Sequence, residues 1–158
     1  MRKFAANYLI SDTGVLLKNG IVIAGEDGLI ARYIDTQGDL REVEQLIFHN
    51  GILMGGCQFT KINTSKPGST SGNPFHSFML QAVAGSTQFS IHNLVDLGKQ
   101  LQLQFPEMKI PAIMNEISEI LLADGVFIKE SIPGIYLLSS VDLVELHFTP
   151  QSRLKKIL

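Results

Sequence analysis

The residues with types suited to chemistry are few: four histidines, one cysteine, a carboxylate pair and two glycine-rich stretches. The histidines are His49, His76, His92 and His147. A local zinc site places two of them at His-x-His or His-x₃-His spacing, and no pair here is spaced that way. His49 and His147 fall in strand-like runs and read as partly exposed strand residues. His92 opens a helical pattern, where a cap or surface role is expected. His76 lies in a loop and is the least constrained. The single cysteine, Cys57, would need a nearby cation or a helix N-terminus to become a reactive thiolate. Lys61 is four residues on, about 13 Å away along an extended chain, so Cys57 reads as a small buried apolar residue. Gly55-Gly56 and the Pro67-to-Gly72 stretch both lack the Gly-Lys-[Ser/Thr] ending of a phosphate loop. Glu116 and Glu119 read as solvent-facing helix residues.

The elements that must position these residues begin with short strands and regular turns. Strands are expected at 4–10, 15–17, 21–24 and 29–35, separated by turns at 11–14, at Lys18-Asn19-Gly20 and at 25–28. One helical turn is expected within 38–46. The 47–63 stretch, IFHNGILMGGCQFTKIN, reads as strand, Asn50-Gly51 turn, strand, then a Gly55-Gly56 break. Residues 64–75 are so dense in Ser, Thr, Gly, Pro and Asn that they read as loop. Phe78 to Ala84 is apolar and reads as a strand. Helices follow at 92–104, with Leu94, Leu97 and Leu101 at helical spacing, and at 113–123, with Ile113, Ile117, Ile120 and Leu121. Strands are expected near 126–130, 135–139 and 141–148, and a helical turn at 149–157 started by Thr149-Pro150.

At 158 residues the chain is read as a single domain, and 45% hydrophobic content permits a sizeable core. A net charge of −2 argues against a polyanion-binding surface, so no nucleic-acid partner is expected. Arg153, Lys155 and Lys156 read as the solvated end of a helix. One cysteine excludes an internal disulfide and fits a reducing compartment. No apolar run approaches the roughly 20 residues of a membrane span, and the start of the chain is too polar for a signal sequence. The expectation is a cytoplasmic protein without a membrane partner.

Two motifs carry a resemblance. LLKNGIVIAGEDGLIARYID is similar to the N-terminal pattern of the amidohydrolase superfamily, in its cytosine-deaminase and chlorohydrolase-like branch. At the right distance follows the family's Pro-Gly-Phe-x-Asn-x-His-x-His segment, here with Gly55 and Gly56 in place of Pro-Gly. In that family the two histidines end the first barrel strand and bind zinc or iron, and an aspartate ends the last barrel strand. The resemblance puts Lys61 and Asn63 at the two histidine positions and Ser86 at the aspartate. A lysine ammonium has no lone pair for a cation, and an amide is a poor ligand beside imidazole.

What the resemblance implies is an α+β fold. Residues 1–62 and 126–158 would be the two halves of a small β-sandwich, the family's composite domain, with the 126–138 segment as the family's closing region and Pro133-Gly134 in place of Ala-Asp. Residues 63–125 would hold a loop, a remnant of the last barrel strand at 78–84, and two or three helices. A complete (β/α)₈ barrel takes about 250 residues, so the 64–75 loop reads as a splice across a large deletion. No catalytic residue, metal ligand or cofactor is assigned. The implied function is that of a pseudo-enzyme, a truncated amidohydrolase-like protein acting as a binding or interaction module. The lost barrel neighbours predict a homodimer, or a complex with a full-length relative, through apolar faces in 78–123 such as that of Leu97. The alternatives are a metal-dependent hydrolase subunit for C–N bonds, its site completed by another protomer or by His76 and His92, and a small-molecule binder using the gap left by the barrel.

Overall fold

The computed structural model describes residues 1–41, 43–63 and 73–158. Most of the expected 64–75 loop therefore lies outside the described residues. The chain is α+β and divides into two compact units, one formed by residues 1–56 with 131–158 and the other by 57–130. Among the described residues no helix is long and apolar enough to cross a membrane.

The first unit is a mixed sheet. Its strands are β1 (Arg2–Ile10), β2 (Leu16–Lys18), β3 (Ile21–Ala24), β4 (Ile30–Ile34), most of β5 (Leu46–Lys61), the second part of β7 (Phe127–Ser139) and β8 (Arg153–Lys156). The order is β4-β3-β1-β5-β7-β8, with β2 also paired to β1. The N-terminal and C-terminal segments thus share a sheet, as their lack of independent partners requires. The strand order is an open path rather than two facing sheets. β1 pairs antiparallel with β2 and β3 but parallel with β5. The core on one side joins Phe4, Ala6, Leu9, Val22, Ala24, Leu53, Ile135 and Leu137.

Several local signals are overridden here. The Asn50-Gly51 turn does not form: β5 continues through it, because β1 lies alongside and absorbs the irregularity as a register shift between Ala6 and Tyr8. Gly55-Gly56 is likewise strand interior. A Cβ on Gly56 would sit 2.8 Å from the Ile132 carbonyl oxygen, so this glycine allows close backbone approach rather than a break. β7 is one strand across Pro133-Gly134 rather than two. Of the expected helical turn in 38–46, residue 42 lies outside the described residues, and the described ones hold turns at 37–38 and 44–45 instead of a helix. The expected 141–148 strand is a set of turns closed by a single Asp142–His147 bridge. Asp142 fixes them by accepting the Val144 and Glu145 N–H groups, each at 3.0 Å. The expected helical turn at 149–157 is a Thr149–Ser152 turn followed by β8, whose pairing with β7 outweighs the Thr-Pro start signal.

The second unit holds the three helices α1 (Pro74–Val83), α2 (Ile91–Gln104) and α3 (Ile110–Leu122), with β6 (Gln88–Ser90) antiparallel to the end of β5. The 78–84 strand expectation is corrected to a helix. Asn73 caps it by accepting the Phe75 N–H at 2.9 Å, Pro74 takes the first position, and Phe75, Met79 and Val83 fall four apart on its buried face. The Phe-Met-Leu run at 78–80 masks that period. α2 starts in a reciprocal box, with Ser90 Oγ accepting from Asn93 N–H and Asn93 Oδ1 accepting from Ser90 N–H. Leu94, Leu97, Leu101, Ile113, Ile117 and Ile120 are all buried in one cluster with Phe59, Phe89 and Phe127. The expectation that these helix faces lie uncovered is therefore corrected: they pack on each other and on the strand ends.

Candidate functional site

Lys61 is the last residue of β5. Its N–H donates to the Thr87 carbonyl at 2.8 Å, and the next N–H, of Ile62, donates to the Val126 carbonyl at 2.8 Å. The strand end is thereby fixed between the segment preceding β6 and the one preceding β7. Ser86 stands one residue before Thr87, and its N–H donates to the Val83 carbonyl at 3.1 Å, closing the turn after α1. Asn63 follows two residues after Lys61 and is exposed. The backbone thus brings the Lys61 and Ser86 positions to neighbouring segments. Their direction differs from that of a barrel: β6 runs antiparallel to β5, whereas neighbouring strands of a (β/α)₈ barrel are parallel.

An ammonium, an amide and a hydroxyl do not make a divalent-metal site. Among the described residues no three His, Cys, Asp or Glu side chains come together as a possible metal cluster. His76 stands half-buried in the first turn of α1, and His92 stands exposed in the first turn of α2. Neither joins such a cluster.

Cys57 is half-buried beside the core of the second unit. Burial pushes its thiol pKa up, and the Lys129 charge only partly opposes this. The Lys129 ammonium stands 5.9 Å from the Phe59 ring centroid, a cation–π arrangement. This is the setting of an inert thiol rather than a nucleophile. On α3, Glu116 is half-buried and Glu119 exposed.

A different constellation lies in the first unit. The Arg2 guanidinium sits 5.3 Å from the centroid of Phe4, and the Phe4 ring lies 6.2 Å from the His49 ring. Burial lowers the His49 pKa from its ordinary value, and the Lys155 charge lowers it further. Lys155 and Arg153 alternate along β8, which is a strand and not the helix end expected from sequence. The sequence signal was the Arg-x-Lys-Lys spacing itself, which fits a strand face as well as a helix turn. What it could not supply was the pairing that carries β8, β5 and β1 into one sheet.

No protein-family model matches the chain, and no curated protein or solved structure matches it.

Proposed function

We propose that the protein is a truncated, amidohydrolase-like chain without catalytic activity that acts as a binding or interaction module. The observation that carries this reading is the end of β5. There Lys61 and Asn63 occupy the positions where the resembled family has metal-binding histidines, with Ser86 in the neighbouring segment at the aspartate position. A metal hydrolase needs the ion to lower the pKa of water and to polarise the scissile group, and these three side chains cannot hold one. Support also comes from β1 to β4 and β7 to β8, which reach one sheet from opposite ends of the sequence, as the two halves of a composite domain would.

Association belongs to the same reading: a homodimer, or a complex with a full-length relative. The buried helix faces of the second unit are not available for it, so contact falls to other surfaces.

The test is elemental analysis of the purified chain, with size-exclusion light scattering and an assay of C–N bond hydrolysis under added zinc or iron. The expected result is no stoichiometric metal and no turnover. About one equivalent of zinc, iron or manganese per chain would overturn the reading, since tight binding requires several converging donors.

A further inference from the structure

We propose that Asn50 is a site of spontaneous deamidation, cyclising through the Gly51 nitrogen, and that Asn7 is the positioning residue that restrains it. The chain has two Asn-Gly pairs, Asn19-Gly20 and Asn50-Gly51. Asparagine is a thermolabile residue. The amide nitrogen of the following residue attacks its Cγ, and a glycine there puts no side chain in the way. The new C–N bond closes a succinimide ring. The Cγ–Nδ2 bond breaks, and ammonia leaves with the proton given up by the attacking amide. Water then opens one of the two ring carbonyls, leaving aspartate or isoaspartate. Water is consumed, ammonia is released, and no other reactant is needed.

The fold treats the two pairs differently. Asn19 is held by its side chain and by both of its backbone polar groups. Its Nδ2 donates to the Gly38 carbonyl at 2.9 Å and its N–H to the Asn7 carbonyl at 2.9 Å, and its carbonyl accepts from Thr36 Oγ1 at 3.0 Å. The leaving amide of this pair is therefore tied into the turn between β2 and β3. Asn50 is exposed, and among the described residues no hydrogen bond engages its carboxamide. Water reaches both the amide that would leave and the carboxylate that would replace it.

What opposes cyclisation at Asn50 is the backbone. Asn50 lies within β5, and an extended chain holds the Gly51 nitrogen away from Asn50 Cγ. The Gly51 N–H is fixed by donating to Asn7 Oδ1 at 2.8 Å. That bond lies where the β1–β5 register shifts between Ala6 and Tyr8. Opening at such an irregularity requires less than opening a continuous ladder. The Asn7 side chain is thus the restraint to be lost before the Gly51 nitrogen turns toward Cγ. The product matters because β5 lies between β1 and β7. Isoaspartate adds a backbone carbon to β5 just ahead of the pairs Tyr8 with Ile52 and Leu9 with Leu53, and so works against their register.

The test is incubation of the full chain in mildly alkaline buffer at physiological temperature. Peptides covering the two pairs are then quantified by mass spectrometry, with electron-transfer fragmentation separating isoaspartate from aspartate. Asn50 should convert several-fold faster than Asn19 in the parent chain. Asn7→Ala should raise the Asn50 rate about fivefold, the effect of losing one hydrogen bond, and leave the Asn19 rate near that of the parent. Asn7→Asp keeps an oxygen acceptor and should hold the Asn50 rate within about twofold of the parent. Asn19 reports general loosening of the fold in each variant. Faster conversion of Asn19 than of Asn50 in the parent, an Asn50 rate unmoved by Asn7→Ala, equal acceleration of both pairs in that variant, or an Asn7→Asp chain as fast as Asn7→Ala would each overturn the proposal.

Discussion

Asn7 and Gly51 are joined across the parallel pair β1 and β5: the Gly51 N–H donates to Asn7 Oδ1 at 2.8 Å. The bond sits where the β1–β5 register shifts. A side chain here supplies the acceptor that the interrupted backbone ladder does not. Gly51 has φ of 136°, a region that side chains rarely adopt. A Cβ there would also run into the Leu138 carbonyl oxygen on β7.

Gly51→Ala should therefore destabilise the chain by about 3 kcal/mol, from backbone strain plus the clash. Asn7→Ala should cost about 1 to 2 kcal/mol, by leaving the buried Gly51 N–H without its acceptor. Urea denaturation followed by circular dichroism reads both. Equal, near-zero effects would mean that the bulge does not depend on this pair.

The same pair shows why part of the fold could be read from sequence and part could not. Asn-Gly between apolar runs is a strong local turn signal. The competing information, an acceptor at Asn7 and strands on both sides of β5, lies 44 residues upstream and in the last third of the chain. Strands 21–24 and 30–34 were legible because their turns and partners are adjacent in sequence. The helices α2 and α3 were legible because their apolar period persists over three turns and more. α1 was not, since Phe78, Met79 and Leu80 fill successive positions and hide the four-residue spacing of Phe75, Met79 and Val83. At the candidate site, the chemistry of Lys61, Asn63 and Ser86, none of them a good ligand for a divalent cation, was legible residue by residue. The grouping of Arg2, His49 and Lys155 was not, because no short-range pattern states that β1, β5 and β8 belong to one sheet.

Leu97 and Leu103 separate packing from surface on one helix. Leu97 is 7% exposed within the helical core and Leu103 is 82% exposed near the end of α2. Leu97→Glu would bury a carboxylate among Leu94, Leu101 and the isoleucines of α3, and should cost about 4 kcal/mol or more. Leu103→Glu should stay within about 0.5 kcal/mol of the parent. Thermal unfolding of the two variants side by side makes the comparison. A Leu97→Glu chain with undiminished melting temperature would contradict the packing of α2 on α3.

His49 offers a pH signature. Its folded pKa lies below the ordinary 6.5, first because of burial and then because of the Lys155 charge. From β1, the Arg2 guanidinium stands 5.3 Å from the Phe4 ring centroid, which lies 6.2 Å from the His49 ring; on β8, Arg153 is two residues from Lys155. Above 6.5 the imidazole is neutral in both folded and unfolded chains and contributes nothing to the pH dependence. As pH falls through 6.5 the unfolded chain takes up the proton first, so stability declines until the lowered folded pKa is passed. Lys155→Gln removes the second cause and leaves the first. It should raise the His49 pKa part of the way toward 6.5 in an NMR titration of the imidazole protons, and should flatten the loss of stability below pH 6.5. Lys18→Gln, on β2, should leave the His49 titration in place. A His49 pKa unmoved by Lys155→Gln would mean that β8 does not present this ammonium to β5.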